Sequence, residues 1–125
     1  MKKGRIILLA FILINPILTQ AQLQNSIWCF GDSAGIDFRN LSNPVPFTSV
    51  SRSRGTNASI ADSSGNLLFY SNVYNPISKT LIWNSINDTL DNYDSIFSCL
   101  GLYNEMVIVP KPNNPENYYL FILEQ

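Results

Sequence analysis

Ala58-Ser59-Ile60-Ala61-Asp62-Ser63-Ser64-Gly65-Asn66-Leu67-Leu68-Phe69-Tyr70-Ser71 is the stretch that decides the fold class. Two runs able to form strands flank the polar segment Ser63–Asn66, which reads as the turn of a β-hairpin. Gly65 supplies the left-handed backbone position that such a turn needs, without a Cβ to oppose it. The Asp62 carboxylate can accept hydrogen bonds from the loop backbone, and Asn66 tolerates a turn conformation.

Working outward, Thr80–Asn84 fits a third strand ending in Trp83-Asn84, and Ile27-Trp28-Cys29-Phe30 fits a short buried strand stopped by Gly31. Ile36-Asp37-Phe38 follows. Residues 39–57, rich in Asn, Ser, Pro, Arg and Gly, read as an irregular surface connection. Residues 85–104 are polar and mixed, with at most a helical turn. Met106-Val107-Ile108-Val109-Pro110 and Tyr118–Leu123 predict a second hairpin, joined through Lys111–Asn117, whose prolines suit a loop and strand ends. No segment after residue 21 sustains a 3.6-residue period, so the expected fold class is all-β, built from antiparallel hairpins.

The first 21 residues differ in kind. Lys2, Lys3 and Arg5 precede an apolar run from Ile6 to Leu18, and Thr19-Gln20-Ala21 places small residues at a cleavage site. Thirteen helical residues span about 20 Å, short of the ~30 Å hydrocarbon core of a bilayer. Pro16 also suits a leader that breaks before its cleavage site. The expected arrangement is a signal peptide over 1–21, cleaved after Ala21, and a β-domain over 22–125, with no membrane span left after cleavage. The destination is secretion or the cell surface.

Composition narrows the chemistry. The chain has 125 residues and a net charge of −1, and all but five of its eight basic residues lie in the leader. The mildly acidic remainder has no electrostatic footprint for nucleic acid or for an anionic membrane surface. The sequence contains no histidine, which removes the Ser-His-Asp triad, the Cys-His dyad and any histidine-containing metal site. Export would carry Cys29 and Cys99 into an oxidising compartment, where they could pair; the alternative is two small buried thiols.

Gly31-Asp32-Ser33-Ala34-Gly35 matches the G-x-S-x-G pattern and resembles the Gly-Asp-Ser block of secreted SGNH-type esterases. A nucleophile elbow needs a following helix and a base, whereas a strand-like segment and a Pro/Ser-rich loop follow Ser33. A turn between two strands is therefore the favoured reading. Asp88, Asp91 and Asp94 recur at every third residue, without the alternate spacing and sharp-turn glycine of a calcium loop. No catalytic residue, cofactor or metal is assigned. Sequons at Asn40, Asn57 and Asn87 predict surface loops if they are glycosylated, and Asp32-Ser33-Ala34, Asp88-Thr89-Leu90 and Asp94-Ser95-Ile96 resemble an O-glycosylation pattern of exported Bacteroidetes proteins.

A wider resemblance runs over residues 27–122. Trp28-Cys29-Phe30-Gly31 with Ala34-Gly35-Ile36-Asp37-Phe38 resembles the W-Y-F-G-x-x-A-G-L-D-F opening of large Bacteroidetes surface proteins that end in a gliding-motility-associated, type B sorting domain. Asp62 with Gly65–Asn72 is similar to their D-x-x-G-N-L-L-F-Y hairpin, and Trp83-Asn84 to their V-W-N strand end. Ile108-Val109-Pro110-Lys111-Pro112 and Tyr118–Phe121 are similar to their I-V-P-K-P and Y-Y-x-F hairpin. Cys29 stands where the pattern has an aromatic residue, and Val73-Tyr74-Asn75 where it has a Gly-containing turn.

The resemblance implies the opening of a propeller-like domain that binds or scaffolds in adhesion or gliding. About one and a half blades are expected, with the rest of the polypeptide needed for folding. The implied structural residues are Trp28, Gly31, Gly35, Asp37, Asp62, Gly65, Asn66, Trp83 and Pro110. The partner would be an extracellular protein or a glycan. Two other readings stay open: a fragment of a secreted hydrolase using Ser33, and a small autonomous β-binding module.

Overall fold

The computed structural model describes residues 20–52, 55–74, 79–90 and 106–123. A 3₁₀ turn at Gln20–Asn25 leads into eight strands: β1 (Ile27–Phe30), β2 (Asp32–Asp37), β3 (Val45–Arg52), β4 (Asn57–Ala61), β5 (Leu67–Tyr74), β6 (Lys79–Asn84), β7 (Met106–Lys111) and β8 (Asn114–Ile122). Among the described residues all pairings are antiparallel, and they form three sheets in the orders β1-β2-β3, β4-β5-β6 and β7-β8. The protein is all-β, as its hairpin pattern predicts. The leader lies outside the described residues. Among the described residues no helix is long and apolar enough to cross a membrane.

Strand alternation assigns every side chain to a face. In the first sheet Trp28 opposes Ile36 and Phe30 opposes Ala34, while Cys29 opposes Gly35 and Gly35 opposes Phe47. The Cys29–Phe47 face packs on the Tyr70–Trp83 face of the second sheet, where these two rings stack 5.3 Å apart at 21°. Cys29, Tyr70 and Trp83 are the buried centre, and Phe47, Leu67 and Leu81 close around it. The opposite face of the second sheet meets the third through Phe69 and Tyr118, in edge contact at 5.5 Å. The sheets are thus stacked in chain order, with the second in the middle.

Residues 39–57 are not an irregular connection, because β3 occupies Val45–Arg52. Its apolar pattern is inverted: Ser49 and Ser51 are buried while Val45 and Val50 are exposed. The period-2 signal was hidden because two of this strand's inward positions are serines: Ser51 accepts from Asn72 across the junction, and Ser49 donates to the Ala34 carbonyl within the first sheet. Pro46 is tolerated because β3 is an edge strand. Likewise β2 begins at Asp32, so Ser33 and Ala34 belong to a strand.

The β7–β8 connection is also shorter than expected. Asn113 adopts φ +62°, the chain reverses at Pro112-Asn113, and β8 begins at Asn114. A register shift at Pro110/Lys111 absorbs the extra residues, since Lys111 pairs with Asn114 and Pro110 with Tyr118. After β6, a tight turn brings Thr89 into a bridge with Trp83, and the Leu90 amide donates to the Ile82 carbonyl at 2.9 Å. Thr89 thereby lies beside β6 as an isolated bridge.

Candidate functional site

The junction between the first two sheets is closed by side chains of different reach. Near β1 and β4 a serine suffices: the Ser59 hydroxyl donates to the Ile27 carbonyl at 2.7 Å and accepts from the Cys29 amide at 3.3 Å. Farther along, β3 is reached by longer groups. The Tyr70 hydroxyl accepts from the Val50 amide at 3.1 Å, and Asn72 Nδ2 donates to Ser51 Oγ at 3.2 Å. Between sheets the closest approaches are of first strands, β1 to β4 and β4 to β7, while β3 also meets β5. Burial raises the Tyr70 phenol above its ordinary value, with the Val50 amide pulling the other way. Burial also pushes the Cys29 thiol up to about 12, which leaves it protonated and unreactive. Cys29 is a free thiol; Cys99 lies outside the described residues.

The first strands of all three sheets border one depression of about 560 Å³. Trp28 and Phe30 stand on one side, Asn57 and Ser59 at the base, and Met106–Ile108 on the other side. Trp28 is 55% exposed yet held in place: its indole N–H donates to the Asn25 carbonyl at 2.9 Å, and its ring meets Phe38 edge-on at 5.0 Å. The lining is mainly apolar with amide groups at its margin. Such a surface binds by shape and desolvation.

Two turns at one end of the second sheet share a single template. Asp62 Oδ1 accepts from the amides of Ser64 (2.8 Å) and Asn66 (2.9 Å), and Asp62 Oδ2 accepts from Asn66 Nδ2. Asn84 Oδ1 accepts from the amides of Ile86 (3.0 Å) and Asp88 (2.9 Å). In both turns the fourth residue has positive φ, at +83° for Gly65 and +70° for Asn87. The first turn holds its carboxylate ionised: bonds from the Asn66 backbone and side chain lower the Asp62 pKa.

Asp37 and Arg39 lie beside that turn and bond each other at 2.6 Å, which lowers the Asp37 pKa and raises that of Arg39. The aliphatic stem of Arg39 lies over Gly65, where a Cβ would sit 2.7 Å from Arg39 Cδ. Asp37, Arg39, Gly65 and Asn66 line a depression of about 420 Å³. Among the described residues no three potential metal ligands gather.

Comparison of the chain with known protein families, with curated proteins and with solved structures found no match.

The structure brings most of the residues singled out in the sequence into two groups. Asp37, Asp62, Gly65 and Asn66 meet at the first turn, while Cys29, Gly35 and Trp83 form the first junction. Gly35 lies beneath the Phe47 ring, which a Cβ there would strike. Trp28 faces away from the junction, Gly31 turns β1 into β2 at φ +58°, and Pro110 pairs with Tyr118. Ser33, at φ +65°, lies within β2, and the strand continues where an elbow would have a helix.

Asp88 belongs to the Asn84 turn, while Asp91 and Asp94 are outside the described residues. Of the sequon asparagines, Asn57 donates to the Gly55 carbonyl and Asn87 accepts from Tyr70, whereas Asn40 sits in an exposed turn. Sequence reading missed Ser59, the hydroxyl role of Tyr70, and the Asn84 turn. The last had a signal: Asn84-Ser-Ile-Asn-Asp repeats the Asx-x-x-(Gly/Asn)-x spacing of Asp62-Ser-Ser-Gly-Asn.

Proposed function

We propose that the three sheets are consecutive blades of a propeller-like domain, belonging to an exported or cell-surface protein that binds or scaffolds rather than catalyses. The partner is an extracellular protein or a glycan, and adhesion or gliding is the setting that the resemblance of residues 27–122 suggests. The observation that carries this reading is the close approach of the first strands of the three sheets, β1 to β4 and β4 to β7. A serine links first strands β1 and β4, while a tyrosine and an asparagine are needed to reach β3. Sheets that converge on their first strands fan around an axis, which is how propeller blades are arranged. The bridge of Thr89 to Trp83 beside β6 agrees with a four-stranded blade. On this reading the segment amounts to parts of three blades rather than one and a half.

Two measurements test the proposal. Pairs of spin labels at 28 and 107, near the axis, and at 48 and 119, far from it, should give the shorter separation for the first pair. Equal separations would mean a parallel stack and no propeller. Fractionation of the producing cells should recover a mature chain beginning at Gln22 outside the cytoplasm; intact Met1 inside it would overturn export.

A further inference from the structure

The depression of about 420 Å³ beside the Asp62 turn opens between the first two sheets. Phe47 and Leu67 give it an apolar wall, and Arg39, Asn66 and Ser85 bring polar groups to it. Both of its sides belong to sheets packed on each other through Cys29, Tyr70 and Trp83. An apolar wall with a few placed polar groups, at this size, suits a small ligand. Arg39 is fixed there in two ways. Its Nε and Nη2 donate to the Asp37 carboxylate at 2.6–3.1 Å, and its stem lies over Gly65, which has no Cβ to displace it.

The hydrogen-bonding capacity left over at this site identifies its ligand. A guanidinium has five N–H groups. Asp37 takes Nε–H and one on Nη2, and the others, along the Nη1–Nη2 edge, donate to no described residue. Asn66 Nδ2 donates to Asp62 Oδ2 at 2.9 Å. That bond sets the orientation of the amide, and Asn66 Oδ1 accepts from no described residue. The exposed Ser85 hydroxyl can serve in either sense.

We propose that this depression binds a neutral pyranose of a glycan, with a vicinal diol between the Arg39 edge and Asn66 Oδ1 and a C–H face against Phe47 and Leu67. This narrows the partner given above to a glycan, and it rests on that reading only in taking the protein to be a binder. An anion could use the Arg39 edge, but it has no donor for Asn66 Oδ1. Asp37 also neutralises Arg39, with Asp62 close by. A cation has donors, but nothing with which to accept from the guanidinium. A diol accepts and donates from adjacent oxygens and carries no charge. Because Arg39 is held before the ligand arrives, binding loses little of its side-chain entropy.

Saturation-transfer NMR and titration calorimetry of the intact protein test the site, with the methyl pyranosides of mannose, glucose and galactose as probes. Saturation should pass to at least one of them. Arg39→Lys keeps the charge but loses the planar edge, and it should weaken binding about tenfold, because hydrogen bonds from a charged group are lost. Ser85→Ala removes a hydroxyl that holds no described bond, and it should weaken binding about threefold. Near-ultraviolet circular dichroism of the Tyr70–Trp83 stack reports whether each variant remains folded, and Ser85→Ala carries the test if Arg39→Lys unfolds. Binding undiminished in both folded variants would place the sugar elsewhere and overturn the proposal. Acetate or methylammonium binding more tightly than all three pyranosides would overturn the neutral ligand. No binding of any pyranoside would overturn the glycan site. In that event a shorter 28–107 separation and a mature chain outside the cytoplasm would still uphold the exported, propeller-like reading, without a sugar at this depression.

Discussion

The Tyr70 hydroxyl donates to Asn87 Oδ1 at 2.7 Å, linking the middle strand of the second sheet to the turn that follows β6. The same oxygen accepts from the Val50 amide on the first sheet. One phenol therefore joins a sheet, its neighbour and a turn, while its ring stacks on Trp83. Tyr70→Phe keeps the stack and removes both hydrogen bonds. The expected loss is about 1–2 kcal/mol, because a partly buried amide is left without its partner. Urea unfolding followed by tryptophan fluorescence measures it, and an unchanged midpoint would show that water replaces the phenol at no cost.

Gly35 and Gly65 are required for different reasons, and their variants separate them. Gly35→Ala drives a methyl group into the Phe47 ring; overpacking of this kind costs about 1–3 kcal/mol. Phe47→Leu in the same chain should recover part of it. Gly65→Ala meets Arg39 and also places a Cβ at φ +83°, a conformation that costs an L-residue roughly 1–2 kcal/mol. Arg39→Ala should relieve only the contact. Full rescue of Gly65→Ala by Arg39→Ala would show that the backbone there is not strained.

The acid limb of stability should depend on Asp62 and Asp37. Both have folded-state pKa values below the ordinary 3.8, so their contribution is complete above that value and is lost as pH falls through the depressed values. Asp62→Asn keeps an acceptor for the turn amides, as Asn84 does in the second turn, but it cannot titrate. Its stability should fall less steeply below pH 4 than that of the wild type. Parallel acid-unfolding curves would assign the acid limb elsewhere.

Cys29 should resist alkylation. Its thiol is buried and pushed up to about 12, so almost none is thiolate at pH 8. In a Cys99→Ser background, iodoacetamide should leave the native protein unmodified and label it fully in denaturant. Rapid native labelling would mean that the first junction opens readily.

What the sequence determined by itself is the local chemistry of this chain. Asp62, Gly65 and Asn66 specify a turn because a short acceptor, a residue free of Cβ and a flexible amide act within five positions. The flanking strands follow from side chains that suit a half-buried pleat. The hairpins β4–β5 and β7–β8, and the all-β class, were legible for that reason. The tertiary structure decided the remainder, because it depends on contacts between residues far apart in sequence. β3 was hidden since Ser49 and Ser51 count as loop residues until the Ala34 carbonyl and the Asn72 amide are placed beside them. The role of Ser59 depends on a strand some thirty positions earlier, whose amide and carbonyl it bridges. The exposure of Trp28 and Phe121 depends on which sheet faces which. Alternation sorts side chains into two faces, but only the stacking of the sheets determines which face is covered.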